Sequence, residues 1–139
     1  MRCVVYHMFA NLYIFLSREL RDKLSQRINA LKQRYPRFSA RLSIVQAGNR
    51  PDSSAYVRMK SKAAAEIGID FQHIQLPVEA TVDEVVYIVK KLNDDDNVSG
   101  ILVQLPLGYH VGATGERIVT EAISPEKDID GYACLNTLD

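Results

Sequence analysis

Three short strand-like stretches, each followed by a helix-like pattern, constrain this chain more than any other feature of its sequence. Arg41–Ala47 (RLSIVQA), Asp70–Leu76 (DFQHIQL) and residues 99–105 (SGILVQL) have the branched, apolar character of strands. A helical pattern precedes the first, where Leu20, Leu24, Ile28 and Leu31 recur at three- and four-residue steps from Ser17 until Pro36 enforces a stop near Tyr35. A second helix is expected over residues 52–67, with a Ser/Asp start and Gly68 as its stop. Thr81 to Glu84 has the spacing of a capping box and opens a third, whose inner face is Val85, Ile88, Val89 and Leu92. The acidic residues 94–96 read as a turn, and a short fourth helix is expected near residues 116–123. Strict alternation of strand and helix is the mark of a parallel sheet joined by crossover helices. The fold class is therefore α/β: one domain, a parallel sheet and flanking helices.

In open sheets of this kind ligands bind beyond the carboxyl ends of the strands. Those ends lead into residues 48–54, 77–80 and 106–112, which is where chemistry is sought. Tyr56 and Lys60 lie one turn apart on one face of the second helix, so they can meet a ligand together. A lysine removed from water is a usable acid/base group, and a tyrosine offers a flat ring and a hydroxyl. The same spacing also describes an ordinary amphipathic edge. Gln104 interrupts an apolar strand just before Pro106, and a buried amide needs partners. Those partners are either backbone groups, or a ligand or Lys60. Residues 125–131 (PEKDIDG) place Asp128 and Asp130 around one apolar residue, and on their own they read as a solvated turn.

Composition narrows the partners. Lys plus Arg and Asp plus Glu both total 17, so no net charge draws the chain to nucleic acid or an anionic membrane. The two cysteines, Cys3 and Cys134, show no metal-ligand or disulfide spacing, so neither a metal nor a disulfide framework is expected. The apolar run at residues 3–16 is too short to span a bilayer comfortably and is interrupted by His7 and Asn11. It reads as a nonstandard leader without a clear cleavage site.

The stretches YVRMKSKAAAEIGI from Tyr56, GILVQLPL from Gly100 and PEKDIDG from Pro125, in that order, resemble the signature segments of the bifunctional methylenetetrahydrofolate dehydrogenase/methenyltetrahydrofolate cyclohydrolase family. The loop GNRPDSSAYVRMK from Gly48 is similar to the version in eukaryotic trifunctional one-carbon tetrahydrofolate synthases. Position by position, the resemblance implies that Lys60 is the catalytic lysine, that Gln104 positions and tunes it, and that Tyr56 stacks on the folate ring system. It further implies that Asp130 binds the amino-pyrimidine edge of the pterin and that Ser53 is a loop serine at the mouth of the site. The implied activities are NADP- or NAD-linked oxidation of methylene-tetrahydrofolate and hydrolysis of the methenyl bridge to formyl-tetrahydrofolate, within one-carbon metabolism and purine biosynthesis. NADP is the cofactor implied for the complete enzyme. Tetrahydrofolate derivatives are the implied partners, with neither nucleic acid nor membrane, a homodimer for the complete protein, and a cytoplasmic location with the mitochondrion as alternative.

The match covers roughly residues 17–137, and residues 1–16 depart from the usual family start. The loop at residues 108–115 is about one residue longer than the family's. Residues 17–139 are expected to form the folate-binding catalytic domain. No GxGxxG-type loop follows a strand, so the dinucleotide-binding domain is expected to be absent and no cofactor to be bound by this chain. The family's returning C-terminal segment is also missing, so an open pocket wall and exposed apolar surface are expected. Dehydrogenase activity is expected to be nil and cyclohydrolase activity to survive weakly. The alternatives are a noncatalytic folate-binding or regulatory fragment, which four intact chemical residues argue against, and a flavodoxin-like signalling domain, which would need an acidic cluster or phosphate loop at the strand ends.

Overall fold

The computed structural model describes residues 18–132; the proposed leader and both cysteines lie outside them. Helix α1 (Arg18–Arg34) buries Leu24 and Ile28, leaves Leu20 exposed at its first turn, and stops two residues before Pro36. Strand β1 (Arg41–Ala47) follows, then α2 (Pro51–Ile67), β2 (Asp70–Leu76), α3 (Val82–Asp94), β3 (Gly100–Gln104) and α4 (Gly112–Glu121). The three strands are parallel in the order β2-β1-β3, with Ile44 facing His73 on one side and Leu102 on the other.

Side chains alternate across the pleat, and this sorts the core into two layers. Leu42 and Ile44 of β1 and Leu102 of β3 pack with Leu24 and Ile28 of α1 and Val57, Ala64 and Ile67 of α2. Val45, Ile101 and Val103 point the other way, against Val85, Val89 and Leu92 of α3 and Val119 of α4. The result is a three-layer sandwich in which β3 is buried along its whole length and β2, an edge strand, is only half covered. Because β1 exits toward α2 and β3 toward α4, their carboxyl ends form the crevice where the strand order reverses.

Local signals placed most boundaries, and the exceptions have identifiable causes. The Thr81 hydroxyl accepts from Glu84 N while the Glu84 carboxylate takes Thr81 N, the reciprocal capping box that the sequence spacing indicates. Helix α2 starts not on a Ser or Asp cap but on Arg50, which makes no side-chain cap, with Pro51 supplying a preset φ at the first helical position. It ends on Gly68, whose left-handed φ of 81° lets its N–H reach Ala64 O and Ala65 O. The third strand is one residue shorter at each end than expected. Helix α4 starts four residues earlier than expected, at Gly112, absorbing part of the supposed loop.

Gly115, inside α4, explains how that helix packs so closely. A Cβ there would lie 2.7 Å from Val111 Cγ1 and 2.8 Å from Val82 Cγ2. Alanine favours a helix over glycine by about 1 kcal/mol, but overpacking costs about 1–3 kcal/mol. Gly115→Ala is therefore expected to lower the urea midpoint, through a net loss of about 1 kcal/mol of stability; a raised midpoint would show that the two valines yield freely.

Candidate active site

Gln104 is the last residue of β3 and shares a pleat face with Leu102, the face that packs on α2. That parity turns its amide toward Lys60, which lies in the middle of α2 on the helix's buried side. Lys60 Nζ donates to Gln104 Oε1 at 3.1 Å, and Gln104 Nε2 donates to Leu105 O at 3.0 Å. With its NH₂ committed to a backbone carbonyl, the amide presents its oxygen to the lysine. Both open readings of Gln104 are thus realised at once, because one end of the amide is satisfied by backbone and the other by Lys60.

Lys60 and Gln104 are each only 8% exposed. Burial pulls the Lys60 ammonium below the ordinary lysine range, and the negative charge of Asp130 partly opposes this. The Asp130 carboxyl is pushed up, first by the protein crowding it, with Asp128 adding to the rise and Lys60 opposing it. Asp130 is nonetheless the more solvent-open of the two residues. Opposite charges at the cleft therefore influence one another while both groups are biased toward their neutral forms.

Ser53 and Tyr56 precede Lys60 by seven and four residues on α2, so all three share one helix face. Tyr56 is 53% exposed at the rim. Ser53 is buried in the first turn of α2, so it belongs to the helix and not to a loop. Helix α2 thus carries Ser53, Tyr56 and Lys60, and β3 brings Gln104 to the last of these. Asp130, near the far end of the described chain, is linked to this group through the influence of its charge on Lys60.

The segment around Asp130 corrects the reading of residues 125–131 as a solvated turn. Lys127, Asp128 and Ile129 are all buried. Ile101 N donates to Lys127 O at 2.7 Å, and Asp128 forms a parallel bridge with Ile101, so the segment lies along the free edge of β3.

A second buried amide escaped notice in the sequence although its signal equals that of Gln104: Gln46 interrupts an apolar strand next to its end. It is 1% exposed. Its Oε1 pairs with His73 Nε2 at 3.0 Å, its Nε2 donates to Ser54 Oγ at 3.2 Å, and Ser54 Oγ donates to Asn49 Oδ1 at 2.9 Å. This chain of contacts ties the loop after β1 to the sheet beside the cleft.

Anions favour helix N-termini, and at two of them the chain's own carboxylates take that place: Asp52 Oδ1 accepts from Ser53 N in α2, and Glu84 Oε2 accepts from Thr81 N ahead of α3. Arg50 and the Ser53 N–H pull the Asp52 carboxyl down to about 2, so it stays charged. Among the described residues no three His, Cys, Asp or Glu side chains gather to hold a metal ion, and no helix is long and apolar enough to cross a membrane.

The profile of the tetrahydrofolate dehydrogenase/cyclohydrolase family, catalytic domain, matches residues 15–130. The cytoplasmic C-1-tetrahydrofolate synthase of Schizosaccharomyces pombe is 43% identical over 121 residues, which make up 87% of this chain and 13% of the relative. The mitochondrial C-1-tetrahydrofolate synthase of the same organism is 46% identical over 121 residues, 87% of this chain and 12% of the relative. Among solved structures, a 5,10-methylenetetrahydrofolate dehydrogenase from the silkworm Bombyx mori superposes with a TM-score of 0.78 at 36% identity, covering 85% of this chain and 39% of that one. A methylenetetrahydrofolate dehydrogenase-cyclohydrolase of Trypanosoma brucei, solved with NADP cofactor and inhibitor, gives 0.72 at 34% identity, covering 78% of this chain and 35% of that one. The chain thus spans about an eighth of the length of these curated relatives. A parallel three-stranded sandwich, a lysine held on a glutamine at the strand ends, and a family match across residues 15–130 all converge: this chain belongs to the tetrahydrofolate dehydrogenase/cyclohydrolase family and carries its catalytic domain.

Proposed function

We propose that this chain binds tetrahydrofolate derivatives at the cleft between α2 and the end of β3 and transfers protons in hydrolysis of the methenyl bridge. The observation that carries this reading is the buried Lys60 amine, held at 3.1 Å by the Gln104 carbonyl oxygen. A carboxamide oxygen can accept from either –NH₂ or –NH₃⁺, so Gln104 orients the nitrogen in both protonation states. Burial favours the neutral amine, whose lone pair is then available to a water.

Water adds to the electrophilic methenyl carbon and gives up a proton to Lys60 Nζ. The resulting ammonium returns a proton to the departing ring nitrogen as the carbon–nitrogen bond breaks, leaving formyl-tetrahydrofolate. One proton is released overall, since the methenyl compound is a cation and the product is not. Tyr56 offers its exposed ring as a stacking face, and the Asp130 carboxylate accepts from the amino-pyrimidine edge. Ser53 lines the first turn of α2, on the same side. NADP belongs, in this proposal, to the complete enzyme and takes no part in the hydrolysis. The cytoplasm is the proposed compartment and the mitochondrion the alternative, since relatives carrying either designation match this chain.

The purified chain should accelerate the loss of methenyl-tetrahydrofolate absorbance above the spontaneous rate. Binding without acceleration would leave a noncatalytic folate-binding module. Asp130→Asn replaces a charged acceptor by a neutral amide, and a hydrogen bond to a charged group is worth about 1.5–3 kcal/mol. The dissociation constant for tetrahydrofolate, read by calorimetry, is therefore expected to rise by about tenfold to a hundredfold; an unchanged constant would remove Asp130 from the binding site.

A further inference from the structure

The end of α3 grips the segment that carries Asp130 at two points, and the hydrolysis uses neither. Asn93 Oδ1 accepts from Ser124 N at 3.0 Å, and Asn93 Nδ2 donates to Ala122 O at 2.8 Å. Lys127, 9% exposed, donates from Nζ to Leu92 O, Asn93 O and Asp95 O at 3.0, 2.7 and 2.7 Å. The last carbonyls of a helix lack partners within it and carry the negative end of its dipole, so an ammonium among them is favoured on both counts.

Only Asp128 and Ile129 separate this anchor from Asp130, and both are fixed. Asp128 is fully buried, lies in the bridge with Ile101, and accepts from Gly131 N at 3.1 Å through Oδ1, closing the turn on which Asp130 sits. Ile129 joins the core beside Leu102. Lys127, Asp128 and Ile129 therefore hold the turn of Asp130 jointly, the first to α3, the second to β3 and the third to the core.

We propose that Lys127 is a positioning residue of this site: by fastening residues 124–131 to the end of α3, it sets where the Asp130 carboxylate stands relative to Lys60. The proposal rests on the reading of Lys60 and Asp130 as parts of one site, but not on catalysis. A lysine that only stabilised the fold would leave the Lys60–Asp130 coupling intact in any variant that still folds.

The test is a titration of the 139-residue chain carrying ¹³C-labelled lysines, followed by NMR without substrate, with the Lys60 signal identified by its loss in Lys60→Met. The charge of Asp130 raises the Lys60 titration midpoint, so Asp130→Asn should lower it. Lys127→Met should lower it in the same direction, the double variant should show no further drop, and Lys127→Arg should restore most of the wild-type value. Lys91→Met, which removes a charge from the last turn of α3 outside the clasp, should change nothing. Should Lys127→Met fail to fold, Asn93→Ala releases the second anchor and is expected to give a smaller drop of the same sign. A folded Lys127→Met or Asn93→Ala chain with the wild-type midpoint overturns the proposal, as does an Asp130→Asn chain whose Lys60 midpoint does not move. Absence of hydrolytic activity would refute the proposed function and leave these outcomes readable.

Discussion

Replacing Ile44 by alanine is expected to cost about 2–5 kcal/mol of stability. Ile44 is wholly buried at the centre of β1, the middle strand of the sheet, and packs in the layer shared with α1 and α2. Both neighbouring strands pair with it, so the cavity left by truncation has little freedom to collapse. A domain of this size has a total stability of about 5–15 kcal/mol, so this one change removes a large share. Urea denaturation should show a lower midpoint with an unchanged slope. Phe71→Ala, at a partly buried position on the edge strand, should cost less. A loss below about 1 kcal/mol for Ile44→Ala would contradict the placement of the core.

The sheet was legible in the sequence because period-two and helical patterns alternate without overlap, and β1 and β2 have the bounds read from the pattern. The start of α3 was equally readable, since a capping box is a purely local device. The start of α4 was not: GATGE has weak helix propensity, and Gly115 lies close against Val82 of α3, a contact that no local pattern encodes. Residues 125–131 misled for a related reason. Four charged side chains in seven residues suggest water, but Lys127 finds its acceptors 32 to 35 residues earlier, at the end of another helix. The site itself was half visible. Gln104 announced itself as a polar residue in an apolar strand, yet its partner lies 44 residues away and follows only from the parity of β3 and the burial of α2. Gln46 carries the same signal, but its partners His73 and Ser54 lie on a neighbouring strand and the next helix, which its own strand does not indicate.

The proton-transfer role of Lys60 is tested most directly by Lys60→Met. Methionine keeps the unbranched length and suits a buried position, so the chain should still fold, as checked by an unchanged urea slope and a comparable midpoint. What disappears is the nitrogen held on Gln104 Oε1 at 3.1 Å, and with it the group proposed to accept and return the proton. General acid–base catalysis contributes about 10²–10⁴-fold, a loss that would carry the modest activity expected of this chain down to the spontaneous background. The measurement is the rate of methenyl-tetrahydrofolate absorbance loss in the wild-type chain and in Lys60→Met, each corrected for the rate in buffer alone. The account predicts acceleration by the wild type and none by the variant; equal acceleration by both would contradict it.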